Sequence, residues 1–127
     1  MEVLGLNRNH VIPAPSKPLV SLSELEKLDI RVGTIRQVED VPGSDKLVRL
    51  VVGFGDHERS ILAGLKKERS DLGALKGKQA LFVINLAPRK MAGLVSEGML
   101  FDIGYADGIV PVLAIPEQPV PDGSRAG

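Results

Sequence analysis

Two apolar, β-prone runs, Ala80 to Leu86 and Met99 to Ile103, lie close together on either side of a short basic loop, Pro88-Arg89-Lys90. A chain that turns back so quickly between two such runs is constrained to place them as neighbouring strands, with the charged loop held out between them. Asn85, Ser96 and Glu97 read as polar groups exposed around that loop. A compact positive loop carried on two strands is one way a small barrel presents a surface to a phosphate backbone.

The rest of the chain extends the β pattern. Ile30, Val32, Ile35 and Val38 are apolar, and Gly33 interrupts their alternation, which predicts a bulge or a barrel corner. The turn cluster Pro42-Gly43-Ser44-Asp45 leads into a second strand, Leu47 to Val52. Gly53 to Asp56 turns the chain into a third, Arg59 to Ala63. Residues 66–75 are polar and fit a short helix or an irregular crossover. Lys76-Gly77-Lys78 opens a fourth strand over 79–86, and a fifth is expected over 97–103, with an added strand over 110–115. Ahead of the strands, Ser21 and Glu24 fit a capping box, and Leu22, Leu25 and Leu28 share one helical face. Residues 1–20 contain Pro13, Pro15 and Pro18 and read as an N-terminal arm, leaving 21–127 as the domain. Five short strands with a helical crossover between the third and fourth form the pattern of an OB-fold, although periodicity alone is satisfied by any small barrel or sandwich.

Composition narrows the function classes. A chain of 127 residues holds one modest core. It has no cysteine, so disulfides and thiolate zinc sites are excluded. No apolar run approaches the roughly 20 residues of a membrane span, and no signal-peptide pattern opens the chain, so a cytoplasmic location without membrane contact is expected. The formal net charge is zero, which argues against generic polyanion binding. The distribution is uneven, however. Between Ile30 and Leu100 there are twelve basic and eight acidic residues, an excess of +4, and the flanks carry the opposite excess.

Catalysis finds no support. His10 and His57 are far apart, and no metal-ligand spacing is present. Gly93-Leu94-Val95-Ser96 puts leucine where a nucleophile elbow needs glycine. Glu39 and Asp40 are adjacent, so in a strand they face opposite sides. Gly53-Phe54-Gly55 lacks the third glycine and the helix of a dinucleotide loop. No enzyme activity, cofactor or metal is expected. Phe82 and Phe101, within apolar strands, are expected in the core, whereas Phe54 at a turn is open to exposure or packing. Met91 and Met99 are equally open to core packing and to contact with a base through a polarizable thioether.

Asn85-Leu86-x-Pro88-Arg89-Lys90-Met91-x-Gly93-x-x-Ser96-Glu97-Gly98-Met99-Leu100 resembles the signature of a tRNA-binding domain family. That domain is appended to many bacterial methionyl-tRNA synthetases and also occurs as small stand-alone proteins and as CsaA-type secretion chaperones. Leu28 to Ile35 resembles the family's opening strand, and Pro42 to Leu47 its second signature, in the right order. The resemblance implies an all-β OB-fold, a five-stranded Greek-key barrel with short helices, covering about residues 22–125.

It further implies a tRNA-contacting face holding Asn85, Met91, Ser96 and Met99, with Arg89 and Lys90 neutralising phosphates and Arg31 and Lys46 extending the basic area. Arg31 and Lys46 have structural alternatives: pairing with an acidic neighbour, or, for Lys46, orienting its turn. Asn85 has one as well, a hydrogen bond to the backbone of the loop that follows it. The implied partners are tRNA, an aminoacyl-tRNA synthetase served in trans or, in the chaperone branch, unfolded polypeptides; the implied assembly is a homodimer. The apolar arm and residues 110–115 offer independent grounds for an interface.

The chain departs from the family at four places. Val41 stands where histidine is usual, Val48 where an aromatic is usual, and Ala87 and Ala92 where the loop is often basic. Two missing loop charges predict weak, salt-sensitive tRNA binding and a more apolar loop.

Overall fold

The computed structural model describes residues 12–127. Residues 1–11 of the expected arm, with Val3, Leu4, Leu6 and Val11, lie outside the described residues, and 12–20 are exposed and hold no helix or strand. Ser21 then caps a one-turn helix, α1 (Leu22–Leu25): its hydroxyl accepts from the Glu24 amide, and the Glu24 carboxylate accepts from the Ser21 amide. The helix is shorter than the leucine spacing predicts, and Leu22, Leu25 and Leu28 are all exposed.

Five strands form the frame: β1 (Ile30–Asp40), β2 (Val48–Gly53), β3 (Glu58–Ala63), β4 (Gln79–Val83) and, further along the chain, β7 (Met99–Leu100). Their order in the sheet is β3-β2-β1-β4-β7, all antiparallel. The first strand is long because it serves two partners. Residues 30–34 pair with β4, and residues from Thr34 to Asp40 pair with β2. The register to β2 shifts between Ile35 and Gln37, so the bulge lies at Arg36, three residues beyond the expected position. Gly33 has a different use: a Cβ there would sit 2.5 Å from Val52 Cγ1 and 2.8 Å from Phe54 Cε1. The glycine lets the two side chains pack directly onto the strand backbone. The result is a strongly curled, OB-like half-barrel.

The core fills the curl. Ile35, Leu50, Val52, Ile61 and Phe82 are wholly buried, and Phe54 meets Phe82 edge-on with centroids 5.7 Å apart. Val41 and Val48 are also buried, so these two departures from the family pattern are aliphatic core residues. The crossover between β3 and β4 contains one 3₁₀ turn, Leu72–Leu75, and Leu75 plugs the barrel.

The chain's second half differs most from expectation. The fourth strand ends at Val83, and the basic loop is itself a hairpin of β5 (Arg89–Met91) and β6 (Leu94–Ser96). The expected fifth strand is split into β7 and β8 (Asp102–Ile103), and the change of direction leaves Phe101 42% exposed instead of in the core. The expected added strand is the short β9 (Val112–Leu113), which pairs with β8. A final strand, β10 (Arg125–Ala126), pairs with Ile30 and Arg31 and was not legible in the sequence.

Candidate functional site

The β5–β6 hairpin is the most exposed basic element of the signature region. Ala92 and Gly93 form its two-residue turn with φ of 50° and 82°, the twin positive values that a tight hairpin of this twist requires. Arg89 and Lys90 stand on β5, both exposed. Arg89 pairs with Ser96 and Lys90 with Val95.

What fixes this hairpin is its attachment to β3. The Glu97 amide donates to the Ser60 carbonyl at 2.8 Å, and the Ser60 amide returns a bond to Glu97 Oε1 at 2.8 Å. The Leu62 amide donates to Ser96 Oγ at 3.0 Å, and that hydroxyl donates onward to the Gly98 carbonyl at 3.0 Å. Arg59 reaches the carbonyls of Ile84 (2.7 Å) and Glu97 (3.2 Å), which ties the end of β4 to the foot of the hairpin. Ser96-Glu97-Gly98 therefore closes the barrel and sets the hairpin's angle.

This corrects the reading of Ser96 as an exposed polar group: its burial is needed because Leu62, inside the barrel wall, has an amide that must be satisfied. Ser96→Ala leaves that amide without an acceptor, and is expected to cost about 1–3 kcal/mol. A urea titration checks it; a loss below about 0.5 kcal/mol, the range of an ordinary surface change, would contradict the assignment.

Asn85 has a similar duty. Its Oδ1 accepts from the Asp29 amide at 2.8 Å and its Nδ2 donates to the Lys27 carbonyl at 2.6 Å. The bonded backbone is the segment before β1, not the following loop. Both polar ends of the side chain are thus engaged within the fold.

The other expected site residues divide between two places. Met91, half-buried, and Met99, 46% exposed, line a cleft of about 340 Å3 between β3, the hairpin and β7, together with Arg89 and Ser96. Arg31 lies in a separate cleft with Phe54, His57 and Arg59. There it grips Asp29 through Nε at 2.7 Å and Nη2 at 3.1 Å, and also donates to the Gly123 carbonyl. The Arg31 hydrogen bond holds the Asp29 carboxyl below the usual carboxylate range, against the opposing effect of burial, with help from Arg125. In the same cleft, the bond from His57 lowers the Asp56 carboxyl.

Lys46 is exposed on the turn after β1 and lines neither cleft. The lysine that orients this turn is Lys66, whose ammonium donates to the carbonyls of Val41 and Ser44 and pairs with Asp40 at 2.6 Å. Three residues of the methionine-lined cleft carry polar chemistry that the sequence reading did not single out for this site, Glu68, Asp102 and Tyr105. Among the described residues no cluster of three or more potential metal ligands occurs, and no helix is long and apolar enough to cross a membrane.

The sequence pattern of the family described as "Putative tRNA binding domain" matches residues 30–125, most of the chain, including the half-barrel, the hairpin and the clamp on β3. The chain belongs to this family. Among curated proteins, it is 44% identical over 100 residues to the methionine–tRNA ligase of Chloroherpeton thalassium, covering 79% of this chain and 14% of that protein. With the corresponding ligase of Nitrosospira multiformis it shares 39% over 124 residues, 91% of this chain and 16% of that protein. The chain thus spans between one seventh and one sixth of the length of these ligases.

Among solved structures, the MetRS-related protein of Pyrococcus horikoshii matches with a TM-score of 0.80 and 33% identity, over 87% of this chain and all of that one. The CsaA chaperone of Bacillus anthracis matches with a TM-score of 0.73 and 26% identity, again over 87% of this chain and all of that one. The similarity to both branches agrees with the resemblance carried by the three sequence motifs, and the domain is related to the terminal portion of methionyl-tRNA synthetases.

Proposed function

We propose that this tRNA-binding-family domain acts as a non-catalytic tRNA-binding module that reads shape and phosphates at an outer corner of tRNA, with little interest in the anticodon. The observation that carries the reading is the exposed Arg89–Lys90 hairpin, locked to β3 by the Ser96-Glu97 clamp. A rigid support spares the cost of ordering the loop when its two cations meet phosphates. The relatedness to methionine–tRNA ligases supports a role in trans beside an aminoacyl-tRNA synthetase, in the cytoplasm.

The module works as a homodimer in this reading. Ile109, Val110, Val112 and Ile115 are exposed around β9, as are Leu19, Val20 and Leu22 near α1, and a second copy is the partner that would cover them. Two basic hairpins on one particle would raise avidity for a large RNA. Sedimentation at micromolar concentration checks this, and a stable monomer would contradict it.

A second reading is favoured by one observation. The cleft beside the hairpin is largely apolar, with Leu65, Met91 and Met99 in its lining, and Ala87 and Ala92 leave the loop less charged than is usual in the family. Such a surface suits capture of extended polypeptide, the role implied by the CsaA branch. Competition between unfractionated tRNA and an unfolded polypeptide separates the two. Binding of tRNA that the polypeptide leaves intact supports the first reading, and polypeptide capture without tRNA binding refutes it.

A further inference from the structure

We propose that the β5–β6 hairpin lies between two RNA backbone strands, with Arg89 meeting the phosphates of one and Lys90 those of the other. This rests on the tRNA-binding reading above and deepens it. The ligand is RNA folded so that two strands run side by side, not a single strand.

The pairing register carries the proposal. Residues directly opposite each other in a hairpin share a face, and successive residues alternate between faces. Arg89 with Ser96 and Met91 with Leu94 occupy one side of the ribbon, and Lys90 with Val95 the other. The surroundings agree. Arg89, Met91 and Ser96 line the cleft against β3, and neither Lys90 nor Val95 does. Lys90 is exposed and Val95 is 47% exposed, so their side of the ribbon is open to solvent. The two cations are adjacent in sequence but belong to opposite faces. A strand passing along either face meets only one of them.

Both cations are free to act. Among the described residues, Arg31, Arg36, Arg49, Lys66 and Arg125 each pair with a carboxylate, and Arg89 and Lys90 do not. The tip ahead of them is slim: Ala92 and Gly93 present a single methyl group, and a Cβ at Gly93 would meet nothing within 4 Å. Such a tip advances between two strands with no bulky group at its front. Behind it, the clamp on β3 holds both faces at one angle. Glu68 and Asp102 line the cleft on the Arg89 side. Their charge turns phosphate away from the cleft floor, so the strand on that side follows the hairpin's flank. Where two phosphate strands run together their fields add, and a ribbon with a cation on each face is complementary to the space between them.

The test exploits the absence of cysteine, since a single introduced thiol is then labelled alone. Leu94→Cys puts a thiol on the Arg89 face and Val95→Cys one on the Lys90 face; both positions are exposed. Each is coupled to the same benzophenone maleimide, bound to unfractionated tRNA and irradiated, and the crosslinked nucleotides are mapped by sequencing. The two labels are expected to mark different strands of the tRNA fold, well separated in sequence. Arg89→Gln and Lys90→Gln are each expected to flatten the salt slope of tRNA binding by about 0.7–0.9, and the pair by the sum. If both labels mark one continuous run of nucleotides, a single strand covers the hairpin and the proposal is overturned. It is overturned as well if only one label crosslinks, or if one neutralisation leaves the slope unchanged. In each of these cases tRNA still binds and the RNA reading stands. If the unlabelled chain binds no tRNA, both fall.

Discussion

Replacing Phe82 with alanine is expected to destabilise the domain by about 3–5 kcal/mol, the range for removing a fully buried aromatic ring. Phe82 is wholly buried near the end of β4, where Arg31 of β1 and Leu100 of β7 are its register partners on either side. Its ring is the edge-on partner of Phe54. The loss removes the aromatic contact and opens a cavity where β1, β4 and β7 converge. With the total stability of a domain at about 5–15 kcal/mol, the variant is expected to unfold at markedly lower urea, by more than about 1 M at the midpoint. A midpoint change below about 0.3 M would show that the half-barrel does not depend on this core. The corresponding change at Phe101, which is substantially exposed, is expected to fall within about 0.5 kcal/mol in the isolated protein.

Reversing both hairpin charges, Arg89→Glu with Lys90→Glu, is expected to reduce tRNA affinity by at least roughly tenfold near 0.1 M salt while leaving the urea midpoint unchanged. Two phosphate neutralisations are lost and two repulsions added. The stability stays because both residues are exposed and the bonds that hold the hairpin come from Ser96, Glu97 and Arg59. Lys46→Glu with Lys76→Glu is the matched control, with the same change of charge: both lysines are exposed but lie outside the cleft, and the smaller loss expected there measures general repulsion alone. Equal losses for the control and the double variant would mean that the hairpin has no special part in binding.

How much of this was readable before the fold was seen follows from where the information lies. The first four strands were legible because each has apolar residues in a β pattern and a Gly- or Pro-bearing turn beside it. The Ser21–Glu24 capping box was legible because its reach is three residues. The β5–β6 hairpin was not, since Arg89-Lys90 carries no apolar alternation and reads as a loop. Its strand character comes from the partner. The last strand, Arg125–Ala126, is two residues long, and only its register on Ile30 and Arg31 defines it.

The expected binding residues show the same division. The motif located the hairpin and the cleft, but not the internal duties of Ser96 and Asn85, whose partners Leu62, Asp29 and Lys27 lie far away in sequence. Arg31 is held by Asp29 two residues before it, a pairing that was within reach of the sequence. Lys66, which orients the turn assigned to Lys46, is brought there only by the crossing of the chain after β3. Tyr105 offered one local signal, a lone aromatic flanked by Gly104 and Gly108, and Glu68 offered none.

The central claim is that a rigid basic hairpin makes this domain a tRNA binder. Equilibrium binding of the native chain to unfractionated tRNA across a salt series tests it most directly. Two hairpin cations alone predict that log K falls with log salt at a slope of about −1.4 to −1.8 per domain, and that the double charge reversal flattens it by the same amount. A slope near zero, or one that the reversal leaves untouched, would contradict the account.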